Sequence, residues 1–296
     1  MIESMAGRSK QIAFYGLVGF FFSLTFSIAL SQIFMGVTIF FVIISLTDKS
    51  QRIYPSGFKW FYILAGLFVT WSLISSLLGP TPVKSLLINK EEWLFAIIPV
   101  TAYLITDEKK IRVLLAAFAV SVILVSLYAV FQHFWGVDLY RHSELAEAPW
   151  FGYRVDGTFS TRLTFGNLFA AAAALLLPIA PTIRNAKWRI AFYAALVLSA
   201  LTVVFTYGRG SILALFIGFI IYIIAFSRRQ LKSIIILVGA LVVLVAVMAP
   251  DIISGYEFSA KKEWQGIHPS SRLAIWKTTA RMAADHPLLG VGQGNF

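Results

Sequence analysis

The sequence predicts an all-α fold: a polytopic transmembrane helix bundle of about nine spans, with a large outward-facing loop beginning at its C-terminal end. Three observations carry that expectation. Of the 296 residues, 58% are hydrophobic and only 13% are charged, too little polar character to cover a soluble domain of this length. The apolar residues come in long runs, most of them near the roughly 20 residues that a helix needs to cross a bilayer. The basic residues fall in short stretches between those runs, and they favour one side.

Taken in order, apolar spans are expected near 11–27, 30–47, 60–79, 91–106, 111–135, 163–183, 190–206, 210–227 and 233–250. The first run begins near Gln11, and no convincing small-residue cleavage site follows it, so it reads as a retained helix rather than a signal peptide. Residues 11–47 are too long for one ordinary span, and a break is expected around Ser27–Ser31. Residues 91–106 are short, so that helix is expected to start in the Leu86–Ile88 stretch or to be shielded by protein. Residues 1–250 thus form a transmembrane helical domain, and 251–296 form the N-terminal part of a periplasmic loop.

The charges orient these spans. With a cytoplasmic N-terminus and nine crossings, the inner segments hold 14 of the 25 basic residues against four acids, Glu3, Asp48, Asp107 and Glu108. The other side holds 11 basic residues and 10 acids. That imbalance is the positive-inside pattern of a bacterial inner (cytoplasmic) membrane protein. It also explains the net charge of +11 without a nucleic-acid partner.

Three segments then face outward: 136–162, the tight turn around Tyr207–Gly210, and 251–296. In the last, Ser270 or Ser271 can cap a helix that runs to about Ala284 and is ended by Pro287. Leu273, Trp276, Ala280 and Ala283 would share its apolar face. The glycine-rich stretch Gly290–Phe296 follows as a turn region, and a chain that stops there reads as truncated.

Composition excludes several chemistries. There is no cysteine, hence no disulfide, thiolate nucleophile or Cys-based metal site. His133, His142, His268 and His286 have no metal-ligand spacing and read as structural. No metal or other cofactor is expected. The Gly290-x-Gly-x-Gly pattern follows no strand and is no nucleotide fingerprint. No Asp, Glu, Lys or His lies centrally in a span, where ion-coupled transporters usually carry one.

The polar chemistry is left to the outer face. Arg209 lies between two apolar runs, flanked by Gly208 and Gly210 and followed by Ser211. One reading is an interfacial arginine that snorkels to the headgroups. The sharper reading is an anion site. Neighbouring glycines let a phosphate approach, Ser211 and the opening N–H groups of the next helix add donors, and a guanidinium binds phosphate bidentately. Arg272, one turn before Trp276, is a second cation, and its plain reading is a solvated charge. Arg154, Asp156 and Arg162 form a third group, which reads either as part of the site or as a structural Arg–Asp pair.

Thr206-Tyr207-Gly208-Arg209-Gly210-Ser211 at the start of an apolar helix resembles the signature of the O-antigen ligase and polymerase superfamily. Ser271-Arg272-x-x-x-Trp276 and the run His286-Pro287-Leu288-x-Gly290-x-Gly292-x-Gly294-Asn295-Phe296 resemble that family's large periplasmic loop, and Arg154–Phe159 resembles its middle loop. The resemblance implies a glycosyltransferase that moves a glycan from an undecaprenyl pyrophosphate-linked donor to an acceptor, without metal or nucleotide. The acceptor would be lipid A–core or a growing glycan, or a protein in a further variant, and the surrounding partners would be membrane lipids.

It also implies that Arg209 and Arg272 engage the pyrophosphate, with Gly210, Ser211, Arg154 and Trp276 in support. The family's catalytic histidine is expected beyond Phe296, so this stretch alone is expected to be inactive. Two further readings stand beside it: a transporter or flippase for a lipid-linked substrate, and a scaffold for an envelope complex.

Overall fold

The computed structural model describes residues 2–48, 59–148, 151–226, 239 and 272–295. The expected ninth span, 233–250, and the proposed caps Ser270 and Ser271 lie outside the described residues. The described chain is mostly helical, its helices being α1 (Ile2–Ser23), α2 (Ile28–Ser45), α3 (Lys59–Leu78), α4 (Pro82–Asn89), α5 (Ile97–Leu104), α6 (Glu108–Trp135), α7 (Arg162–Ile179), α8 (Ala186–Phe205), α9 (Arg209–Phe226) and α10 (Arg272–Asp285). The only paired strands among the described residues are two-residue pieces, Val137–Asp138 and Ser143–Glu144.

Among the described residues, five helices are long and apolar enough to cross a membrane: Ile28–Ser45, Lys59–Leu78, Glu108–Trp135, Arg162–Thr182 and Ala186–Phe205. Their outward faces carry large apolar side chains such as Leu64, Leu67, Leu124 and Leu127, each more than half exposed. Lipid is the solvent that such faces suit.

The helix ends follow local chemistry. Asp107 caps α6 by accepting from Lys110 N at 2.9 Å, and Asn185 caps α8 by accepting from Lys187 N and Trp188 N. Thr161 caps α7 through Thr164 N. The run 11–47 is two helices, and the break falls at residues 24–27, slightly earlier than expected. Ser27 sets the restart by accepting from Leu30 N. The first helix also begins well before its apolar run, carrying Arg8 and Lys10 on its opening turns.

The short span at 91–106 has a structural answer. It is a 3-10 helix over Lys90–Ala96 followed by α5. Pro99 in the first turn of α5 lacks an N–H, and its ring would clash with the carbonyl of Phe95 in a continuous α-helix. The tighter winding and longer rise per residue of the 3-10 helix let these 15 residues reach about 26 Å instead of about 22 Å.

The chain packs as two compact units: Met1–Gly7, Val42–Thr106 and Ile253–Phe296 in one, Arg8–Phe41 and Asp107–Ile252 in the other. In the first, the 286–295 segment docks on α3, α4 and the 3-10 turn. Gln293 Nε2 donates to Glu92 Oε1 at 3.0 Å and to Ser72 Oγ at 3.2 Å. Asn295 Nδ2 donates to Ser85 Oγ at 3.0 Å, and its Oδ1 accepts from Thr81. Gly290, Gly292 and Gly294 all have φ between 67° and 77°, so the alternating glycines build a chain of left-handed turns and not a phosphate loop.

In the second unit, α6, α7, α8 and α9 enclose one apolar core that includes Phe118, Phe165, Phe169, Leu176, Leu196 and Leu215. Buried alanines, among them Ala170, Ala173, Ala195 and Ala200, let α7 and α8 approach closely.

Candidate functional site

At one end of the second unit α6 stops and α7 and α9 begin, with the segment 136–161 laid across them. This end is built as a set of interlocked turns. Gln132, fully buried near the end of α6, clamps Gly157: its Nε2 donates to the glycine carbonyl at 2.9 Å, and its Oε1 accepts from the glycine N–H at 2.8 Å. Gly157 has φ 60°, and a Cβ there would overlap the Phe165 ring, so no other residue fits. His133 is 1% exposed. Its Nδ1 lies 2.8 Å from Tyr153 O, and its ring stacks on Phe205 at 3.9 Å. It is a structural residue, as its sequence context indicated. Tyr153 N donates to His133 O, Arg154 N to Ala146 O and Val155 N to Phe205 O, which seats Arg154 on the end of α8.

The turn into α9 is equally fixed. Thr206 Oγ1 donates to Val203 O at 2.7 Å and accepts from Gly208 N at 3.1 Å. Tyr207 takes φ 52°, a rare and costly conformation for an aromatic residue. That turn makes Arg209 the first residue of α9. Arg162 is likewise the first residue of α7, and α7 packs against α9. Two helix N-termini therefore open at the same end of the unit, each with an arginine on its first residue. A helix N-terminus carries about half a positive charge and attracts anions.

Arg154, Arg162 and Arg209 are all half-buried, and Arg154 is within electrostatic reach of the other two. Burial first, then repulsion from Arg162 and Arg209, pulls the Arg154 guanidinium below its ordinary range, while Tyr207 acts in the other direction. Arginine does not give up its proton in such a place. The direction reflects its partial burial and the two like charges near it. Its Nε is buried and has no hydrogen-bond partner. Neither Arg154 nor Arg162 forms an ion pair with Asp156 among the described residues, so the structural Arg–Asp pair is not what holds them. Burial pushes the Asp156 carboxyl above its usual range, opposed by Arg162 and Arg141.

The residues expected at the site are distributed unevenly. Arg154 comes within electrostatic reach of Arg209 and of Arg162, the other arginine of the third group. Gly210 is exposed, and a Cβ on it would meet open space, so room exists beside Arg209. Ser211 is fully buried and donates to Asn167 Oδ1 at 2.8 Å. Its hydroxyl therefore fastens α9 to α7 and adds no donor to an anion, which corrects the expectation for this residue.

Arg272 opens α10 in the other unit, and its side chain lies outside the described residues. Trp276 on the same helix is 69% exposed. Tyr207 and Gln132 were not anticipated. A glutamine and a histidine ending an otherwise apolar run were the available signal.

Residues 194–296, from within α8 onward, match a sequence family described as O-Antigen ligase. The C-terminal third of the chain is therefore similar to an O-antigen ligase domain. Together with the five helices long and apolar enough to cross a membrane, this match supports a multi-pass membrane protein with an O-antigen ligase-type domain. The matched segment contains both Arg209 and Arg272. No curated protein and no solved structure gives a significant match to the chain.

Proposed function

We propose that this O-antigen ligase family protein transfers a glycan from undecaprenyl pyrophosphate to lipid A–core or to a growing glycan at the periplasmic face of the inner membrane. The N-terminus is cytoplasmic in this reading, and no metal takes part. The observation that carries it is the group of Arg154, Arg162 and Arg209 around two helix N-termini. A glycosyl diphosphate donor builds negative charge on its departing pyrophosphate as the anomeric bond breaks. Fixed guanidinium groups at a partly dehydrated interface stabilise that charge without having to reorganise. The acceptor hydroxyl then needs positioning and a weak base. Arg272 is assigned to the same pyrophosphate on the family resemblance, with Trp276 in support, and residues 251–296 to a periplasmic loop.

The test is Arg209→Ala in the full-length protein. Membrane insertion should be unchanged, and transfer should fall by roughly two to three orders of magnitude, the usual scale for losing one electrostatic stabiliser. Arg209→Lys should restore only part, because an ammonium keeps the charge and loses the bidentate fork. A snorkelling arginine predicts full activity with lysine. Near wild-type transfer by a well-expressed Arg209→Ala protein would remove this residue from the reaction.

A further inference from the structure

The turn that leads to Arg154 holds an aromatic ring out in the open. Ala148 N donates to Gly152 O at 2.9 Å, and Glu147 pairs with Tyr153 in an antiparallel bridge. Gly152 takes φ 69°, and a Cβ there would meet His133 O at 2.5 Å and the His133 ring at 2.8 Å. The turn is therefore pressed onto the end of α6, where Tyr153 N also donates to His133 O. It continues through Arg154 into the Asp156–Thr158 strap, which Gln132 clamps at Gly157. Phe151 is carried on this fixed base, yet it is 60% exposed. Its ring meets Phe134 at 5.6 Å and His133 at 5.4 Å, both edge-to-face, which sets its orientation.

The surroundings of this ring are polar. Glu144 and Glu147 on the same segment are exposed, so the turn meets water and not hydrocarbon. Tyr207 OH donates to Phe151 O at 3.4 Å, long for such a bond and readily exchanged for a better acceptor. Tyr207 also lies within electrostatic reach of Arg154. Phe151 stands three residues before Arg154, so the two backbones lie within about 11 Å of each other. A rigid, open ring with a hydroxyl at its edge therefore sits beside the arginine group.

We propose that Phe151 stacks on the first sugar of the donor glycan, with the Tyr207 hydroxyl bonding that sugar's edge. This rests on the pyrophosphate reading above and adds the subsite for the group that is transferred. Covalent geometry selects the occupant. The first sugar is bonded directly to the pyrophosphate, so a diphosphate on Arg154 places that sugar next to it. A pyranose also matches the chemistry of the subsite. The C–H groups on one face of the sugar ring are weakly positive and suit the negative face of a phenyl ring, while its hydroxyls need polar partners at the rim. A lipid chain would use the apolar surface and leave the polar rim idle.

The experiment measures transfer by the full-length protein in nanodiscs. The donor is lipid-linked glycan extracted from cells that lack the protein, and the competitor is sugar-free undecaprenyl pyrophosphate. Phe151→Leu keeps an apolar side chain and removes the ring. It should raise KM for the glycan donor roughly three- to tenfold, while Ki for the competitor stays within about twofold of wild type. Phe151→Tyr restores the ring and should bring KM back down. Tyr207→Phe should raise KM and leave Ki alone.

A ring that merely anchors the turn in lipid predicts that leucine serves as well as phenylalanine. A wild-type KM for well-folded Phe151→Leu would overturn the sugar subsite. So would KM and Ki that rise together, which would mean that Phe151 shapes the head site. A wild-type KM for Tyr207→Phe would remove its hydroxyl from the subsite. Arg209→Ala separates this proposal from the reading beneath it. If that variant leaves Ki unchanged, the pyrophosphate reading falls and the sugar placement falls with it. A raised Ki alongside an indifferent Phe151→Leu would overturn the sugar subsite alone.

Discussion

Arg154→Met separates a ligand-binding arginine from a structural one, because the two roles predict opposite signs. The native side chain is a half-buried cation with two like charges nearby and an unpartnered Nε. Methionine keeps an unbranched apolar stem of similar reach and removes the charge. The backbone anchor, Arg154 N to Ala146 O at 2.9 Å, survives the substitution. Without ligand, the variant should therefore be as stable as wild type, or more stable by about 1 kcal/mol or less, since partial exposure already screens the repulsion.

Anion binding should move the other way. Losing one charge-assisted hydrogen bond costs about 1.5–3 kcal/mol, or roughly 10- to 150-fold in Kd. Thermal unfolding in detergent reads both effects. Inorganic pyrophosphate at about 100 times the wild-type Kd should stabilise wild type by about 2.7 kcal/mol, and a variant that binds 100-fold more weakly by only about 0.4 kcal/mol. Lower unliganded stability combined with an intact pyrophosphate shift would mean that Arg154 serves the fold, and the anion site would lose its centre.

Other perturbations probe the scaffold and the orientation. Gln132→Leu leaves the buried N–H and C=O of Gly157 unpaired and should cost about 2–4 kcal/mol in unfolding experiments; a loss below about 0.5 kcal/mol would show that the clamp is dispensable. Asp156 has a folded pKa raised above its ordinary 3.8, so the native state holds that proton more tightly. Stability should then fall as pH rises from about 3.8 through the raised value and stay flat above it; Asp156→Asn should abolish that slope, and an unchanged slope would assign it to another group. Single cysteines at Ser50 and Gln230 should resist impermeant thiol reagents in intact cells while one at Ser259 labels, and the reverse pattern would invert the orientation.

Much of the bundle was legible because hydropathy and capping are local. The ends of α6 and α8 follow from Asp107 and Asn185, and the Arg209 turn from its glycine and threonine. The errors occur where a distant partner decides. Ser211 looked like an anion donor until Asn167, 44 residues away, took its hydroxyl. Asp156 looked like a partner for Arg154 until burial and the Gly157 clamp set the strap's course. The 3-10 stretch over Lys90–Ala96 depends on Pro99, which was visible in the sequence, but its effect on span length was not drawn from it. The glycine-rich end looked loose because its hydrogen-bond partners, Ser72, Ser85 and Glu92, lie some 200 residues earlier.

The arrangement of the arginines bears on how such a site can turn over. Arg154 is repelled by the like charges of Arg162 and Arg209, so a rigid frame must hold it beside them. The frame is present: Gly166 lets α7 approach α9 so closely that a Cβ there would meet Ser211 Oγ at 2.6 Å and Thr206 Oγ1 at 2.9 Å. On the proposed reading, a group held this way would bind any diphosphate, both the donor and the pyrophosphate carrier left after transfer. Binding both equally would lower KM without raising kcat, and it would slow release.

Asp156 is placed to moderate this, because it faces Arg162 and Arg141 across the strap and reduces the cationic field when ionised. In the proposed reaction, what would then favour the transition state is the extra charge that appears on the bridging oxygen as the sugar leaves. The helix N-termini and guanidiniums need no motion to meet that charge. The strain at Tyr207 is consistent with the same design, since it costs stability in order to fix Arg209 at the first residue of α9.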